Sequence, residues 1–153
     1  MMRTVDQIDI AAPLDAAFEA AADVERWPQL LDHYRWVRML ERTPGGGVVE
    51  MAAWRPFGPV RYPTWWASKM RIDRDRREVR YEHIRGITRG MDVVWRLVGT
   101  ATGTHIDLVH EWDGPPWPLI RRPVAEWVIG PVFVHGIASR TLAGLKRHLE
   151  RRG

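Results

Sequence analysis

The stretch PLIRRPVAEWVIGPVFVHGIASRTLAGLKRHLERRG, Pro118–Gly153, decides the fold. Apolar or compact residues recur in it at Val134, Ile137, Ala138, Thr141, Leu142, Leu145 and Leu149, the three-and-four spacing that lays one stripe along a helix. Pro123, Gly130 and Pro131 interrupt its beginning, so the continuous helix is expected from near Val132. Lys146, Arg147, Arg151 and Arg152 gather at the far end, where they suit the negative pole of the helix dipole. A stripe of this length has to be buried, and the chain before it reads mostly as strands. The expected class is therefore α+β, a curved antiparallel sheet closed around one long C-terminal helix.

Working outward, Val5, Gln7, Ile8 and Ile10 alternate loosely in a first strand, which Ala11-Ala12-Pro13 ends. Pro13 fits the first turn of a helix whose buried side carries Leu14, Phe18, Ala21 and Ala22, and Asp23 caps a second short helix from Val24 to Leu31, interrupted at Trp27-Pro28. Strands follow at Tyr34 to Arg42 and Val48 to Arg55, joined by the turn Thr43-Pro44-Gly45-Gly46-Gly47. The next strand, Val60 to Ile72, has the clearest period of two. Tyr62, Thr64, Trp66, Ser68, Met70 and Ile72 share the inward face, while Arg61, Trp65, Lys69 and Arg71 point out. Pro63 predicts a bulge or an edge position near its start. Three more strands place Val79, Tyr81 and His83, then Met91, Val93, Trp95 and Leu97, then Ile106, Leu108, His110 and Trp112 inward. Seven strands, two short helices after the first strand and a long last helix, with no repeat or internal linker, predict one domain over residues 1–153.

Charge and composition narrow the function. A net charge of +4 and a pI near 10.1 permit contact with polyanions. Yet in the densest basic run, Arg71 to Arg80, five arginines share space with three acids, which reads as a solvated hairpin tip, and no specific nucleic acid is expected. The absence of cysteine removes disulfides and thiolate metal sites. Charge arrives too early after Met1 for a signal peptide, and no apolar run nears the roughly 18 residues of a spanning helix, so a cytoplasmic protein without a membrane span is expected. The histidines lack metal spacing, and Gly45-Gly46-Gly47 sits in a hairpin and opens no helix, so neither metal nor nucleotide cofactor is expected. Nine tryptophans are the anomaly. They either fill a core or wall a wide pocket for a hydrophobic ligand.

The candidate site follows from the inward faces. His110, among Ile106, Leu108 and Trp112, either moves a proton near neutral pH or only hydrogen-bonds within the wall. Tyr34 either orients a ligand carbonyl or packs its ring beneath the short helices. Arg55 is either an inward cation or a surface residue at a strand end. Trp27, Trp54, Trp66, Trp95 and Trp112 supply aromatic walls, with Met70, Tyr81 and His83 on the middle strands and Ile137 and Thr141 on the long helix.

The order of elements, the segment Asp23-Val24-Glu25-Arg26-Trp27-Pro28 leading to His33-Tyr34, the strand with Trp65-Trp66-Ala67-Ser68-Lys69-Met70, Trp95, and His110-Glu111-Trp112-Asp113 resemble the START-like superfamily of helix-grip proteins. That superfamily includes polyketide aromatase/cyclases, coenzyme Q-binding proteins and lipid carriers. The resemblance implies a helix-grip fold and a hydrophobic small molecule, such as a polyketide, isoprenoid or lipid, held between sheet and long helix. If the protein is an enzyme, it implies a polyketide cyclase or dehydrase, with Tyr34 and His110 as candidate catalytic groups. The inward arginine that such cyclases carry on the fourth strand falls here on Met70. Ribosome- or RNA-associated members of the superfamily, acting through a basic surface, supply the alternative function.

Overall fold

The computed structural model of the protein describes residues 2–57, 59–86, 88–113 and 135–152, without the side chains of residues 2, 55–57, 60, 62 and 152. Strand β1 (Met2–Ile10) leads into helix α1 (Leu14–Ala22), a 3-10 turn at Val24–Arg26, and the one-turn helix α2 (Trp27–Leu30). Strands β2 (Tyr34–Thr43), β3 (Gly46–Phe57), β4 (Val60–Asp73), β5 (Glu78–Gly86), β6 (Asp92–Thr100) and β7 (Gly103–Trp112) follow, and α3 (His135–Arg152) comes last. All neighbouring strands are antiparallel, in the order β1-β7-β6-β5-β4-β3-β2. The expected positions of Pro118 to Val134 lie outside the described residues.

Alternation along β4 follows the predicted parity. Trp66, Ser68 and Met70 are buried while Lys69 and Arg71 are exposed. Pro63 stands where β4 overhangs β5, whose pairing begins only at Trp66, so the proline is free to lack an N–H there. The bulge lies further along, between Ala67 and Ser68. The β2–β3 turn needs glycine at two positions: Gly46 and Gly47 have φ of 147° and 133°, and a Cβ on either would fall 2.0 Å from the carbonyl oxygen of Met70 or Glu41.

The stripe on α3 is buried as its spacing requires, with Ile137, Ala138, Leu142, Leu145 and Leu149 turned into one hydrophobic cluster with the sheet and α1, and Thr141 buried among them. Gly144 joins that face because Leu31, at the end of α2, occupies the space a side chain would need, 2.3 Å from the position of a Cβ. Lys146 and Glu150 tie the far end of α3 to the β1–α1 corner, through Lys146 Nζ to the Asp9 carbonyl at 2.6 Å and the Ala11 N–H to Glu150 Oε2 at 2.9 Å. Both ends of the grip are thereby fixed to β1, since His135 Nδ1 also contacts Asp6 Oδ1 at the start of the helix.

Candidate functional site

Inward side chains of β2 to β7, Trp27 of α2, the β5–β6 turn and the first half of α3 line a cavity of about 70 Å³. Nine residues expected at the site border it: Trp27, Tyr34, Trp66, Tyr81, His83, Trp95, His110, Ile137 and Thr141. Aromatic rings form one side, with Trp27 5.2 Å from Tyr34 and 5.6 Å from Trp95 between centroids, and Trp66 lies parallel to His83 at 5.9 Å. Met51, Met91, Val93, Leu108 and Ala138 complete the apolar lining.

Two polar groups are set into this wall. In the first, His33 Nε2 lies 3.0 Å from Thr141 Oγ1, which lies 2.9 Å from the Ile137 carbonyl and 3.4 Å from the Tyr34 hydroxyl. The threonine directs its single proton at the Ile137 carbonyl and, at longer range, at the Tyr34 hydroxyl oxygen, while the partner role of His33 Nε2 follows the ring's tautomer. In the second, His83 Nδ1 is 2.7 Å from Thr88 Oγ1, with His110 and Tyr81 beside it on the wall. Tyr81 Oη and His110 Nδ1 are buried and have no hydrogen-bond partner among the described residues. An unpaired buried polar atom costs about 1–3 kcal/mol, which the fold tolerates where a bound molecule can supply the partner.

Burial governs the protonation of every group here. It lowers His33 and His83 to about 4, and lowers His110 to about 3 with a smaller push from neighbouring His83. Nearby Arg140 adds to the effect on His33. Burial raises Tyr34 to about 12, against the Thr141 hydrogen bond, and raises Tyr81 well above the usual phenol value. At neutral pH the wall therefore presents neutral imidazoles and neutral phenols. It offers hydrogen-bond donors and acceptors without a fixed charge.

Three expected residues lie elsewhere, and one has no described side chain. Trp54 stands on the outer face of the sheet, with the Arg35 and Arg61 guanidinium groups each 4.9 Å from its ring centre. It alternates with the inward Met51 and Ala53, so its face is fixed by parity despite its size. Trp112 is fully buried but points its indole N–H at the Arg89 carbonyl, 3.0 Å away, outside the cavity lining. Met70 is inward but lies roughly 13 Å along β4 from Trp66 at the usual rise per residue. It belongs to a separate groove of about 840 Å³ between α1, the β2–β3 hairpin and the end of α3. The Arg55 side chain lies outside the described part of the structure. Sequence reasoning missed His33 and Thr88, which sit at junctions between elements where no periodicity marks a face.

Among the described residues no group of three or more metal-ligating side chains converges, and no helix is long and apolar enough to cross a membrane.

A family model described as polyketide cyclase / dehydrase and lipid transport matches residues 10–133. A Streptomyces halstedii protein, named as an inferred polyketide cyclase, is 34% identical over 102 residues, 65% of this chain and 91% of its own length. A second inferred polyketide cyclase, from Streptomyces cyaneus, is 29% identical over 115 residues, 74% of each chain. The crystal structure of the Zhui aromatase/cyclase from Streptomyces sp. R1128 superposes with a TM-score of 0.80 at 21% identity, covering 98% of this chain and 94% of that one. A START superfamily protein from Mycobacterium smegmatis gives 0.68 at 13% identity over the full length of both. The shared fold is the START-like helix grip.

Proposed function

The chain belongs to the polyketide cyclase / dehydrase and lipid transport family, and on that premise we propose that it works as a single ligand-binding domain for a hydrophobic small molecule bearing carbonyl or hydroxyl groups. The observation that carries this reading is the pairing of an aromatic, uncharged cavity with two unpartnered polar atoms, Tyr81 Oη and His110 Nδ1, in residues on its wall. A purely apolar lipid leaves both atoms unsatisfied, whereas an oxygenated aromatic molecule such as a polyketide satisfies them and packs against Trp27, Trp66 and Trp95. Ligands of that size need several hundred Å³, so binding requires Met51, Met91 and the rings to spread.

A cyclase or dehydrase activity is the reactive form of the same reading. Ring closure or loss of water needs a proton moved and a developing oxyanion stabilised. The groups we assign to this are Tyr34 and His110, both neutral, because no Arg or Lys is among the described residues lining the cavity and Arg71 is exposed on the outer face.

The test is titration of the protein with a panel of polyketide-like quinones, isoprenoids and lipids, followed by intrinsic tryptophan emission. A polycyclic oxygenated aromatic should quench with saturation at about micromolar or tighter affinity, near −8 kcal/mol, and Tyr81→Phe should weaken it several-fold. Unchanged emission across the panel refutes the reading. Mass spectrometry of small molecules that copurify with the protein identifies the ligand directly.

A further inference from the structure

The tryptophans outside the cavity lead to a second site. Trp36 of β2, Ala52 of β3 and Trp65 of β4 stand in register across three strands, on the face turned away from α3. Ala52 is fully buried there although it is no part of the core cluster. Trp54 is the next outward residue of β3, and Arg35 and Arg61 both stack on it. Arg38 lies 4.3 Å over the Trp36 ring. The exposed Arg35 and Arg61 have no carboxylate partner among the described residues, and Arg38 reaches Glu50 only at 3.9 Å. Exposed Lys69, Arg71 and Arg85 extend the basic area toward β5. Beyond it the sign reverses, since Glu82, Asp92 and Glu111 form one cross-strand row over β5, β6 and β7.

We infer that the outer face of β2–β4 is a docking surface for an anionic lipid bilayer, with Trp36, Trp54 and Trp65 entering the headgroup layer and Arg35, Arg38 and Arg61 binding lipid phosphates. Indoles combine an apolar body with one N–H and favour that layer. A guanidinium resting on a ring keeps its N–H edge free for phosphate, and the ring fixes its direction. A single-stranded nucleic acid fits less well. It stacks bases on open aromatic faces along one cationic track. Here the faces of Trp36 and Trp54 are covered, and the arginines stand on β2 and β4 with β3 between them, two strand spacings or roughly 10 Å, an array in two dimensions. The same patch on a second copy would set arginine against arginine. Leu40, 51% exposed, is a further apolar side chain on the same edge strand. The acidic row on the other half of the face sets which side approaches the negative surface.

The experiment is cosedimentation of the full chain with vesicles of phosphatidylcholine alone and of phosphatidylcholine mixed equally with phosphatidylglycerol. Binding is expected only to the mixed vesicles, and it should weaken with salt. Each guanidinium removed should cost roughly fivefold in affinity, so Arg35→Ala/Arg38→Ala/Arg61→Ala together should cost on the order of a hundredfold. Quenching of wild-type tryptophan emission by brominated phosphatidylglycerol tests the same surface without any substitution. Equal binding to both vesicle types, undiminished binding of the triple variant, absence of bromine quenching, or tighter association with poly(U) than with the mixed vesicles overturns the inference. Interior ligand binding by the triple variant should stay unchanged, and its loss would mean that the arginines act on the fold.

Discussion

His33 and Thr141, 108 positions apart in sequence, meet at 3.0 Å and join the α2–β2 junction to the middle of α3. Because the threonine also bonds the Ile137 carbonyl and approaches Tyr34, one hydroxyl organises a histidine, a tyrosine and the helix backbone at the edge of the cavity.

Thr141→Val is nearly isosteric and removes that hydroxyl, so the buried His33 ring nitrogen and Tyr34 hydroxyl both lose it as a partner. Stability should fall by about 1–3 kcal/mol in urea unfolding, and Thr141→Ser should recover most of it. If valine is tolerated without loss, the hydrogen bonds have no energetic weight.

The buried imidazoles make stability depend on pH with a definite sign. His33, His83 and His110 titrate at about 4, 4 and 3 in the folded protein against 6.5 for an exposed ring. As pH falls below 6.5 the unfolded chain takes up protons that the folded chain refuses, so their contribution is complete above that value and drains toward pH 4. The slope is roughly 1.4 kcal/mol per pH unit for each imidazole. His105 acts in the opposite sense, since its hydrogen bond to Asp9 leads a rise in its pKa, and its small contribution is lost as pH rises through that elevated value. Urea midpoints measured from about pH 4.5 to 7.5 should climb steeply, and His110→Leu should flatten the climb. A level profile would refute the neutral wall.

If the cavity catalyses ring closure, His110→Ala or Tyr34→Phe should lower turnover by about tenfold or more with little change in ligand affinity, the pattern of a group that acts in the transition state. Arg71→Ala should leave turnover intact, because Arg71 is exposed on the outer face. Loss of activity in the Arg71 variant would require a different register for β4. Single-turnover kinetics with a poly-β-ketone substrate decides among these outcomes.

Met91→Ala should enlarge the cavity at a cost of about 2–5 kcal/mol in stability and strengthen binding of a bulky quinone, since the walls then need less rearrangement. Calorimetry and quenching titrations together check the two opposite effects.

The parity of β4 and the stripe on α3 were legible because each rests on a geometric period that a sequence displays directly. Trp66 against Lys69, or Leu145 against Lys146, needs no knowledge of the rest of the chain. Depth along the sheet is different. Parity places Met70 and Trp66 on one face, but only the three-dimensional closure of α1 and the β2–β3 hairpin assigns Met70 to the groove and Trp66 to the cavity. Trp54 shows how size misleads: a large ring suggests a core, whereas alternation with Met51 and Ala53 sends it outward. His33 and Thr88 were hidden because a hydrogen-bond partner far along the chain, or in a turn, leaves no local pattern.

The first strand of the sheet pairs with the seventh, from Met2 against Trp112 to Ile10 against Thr104. As the chain leaves the ribosome, β1 is made before β7, its only strand neighbour among the described residues, and waits while the strands between them are synthesised. Hairpins from β2 to β7 can assemble locally in the meantime. The closure that brings β1 home spans nearly the whole sheet, and such distant pairing slows folding. Until then the inward side of β1 has no cover, so this strand is the point at which nascent chains should be most open to aggregation and to chaperones.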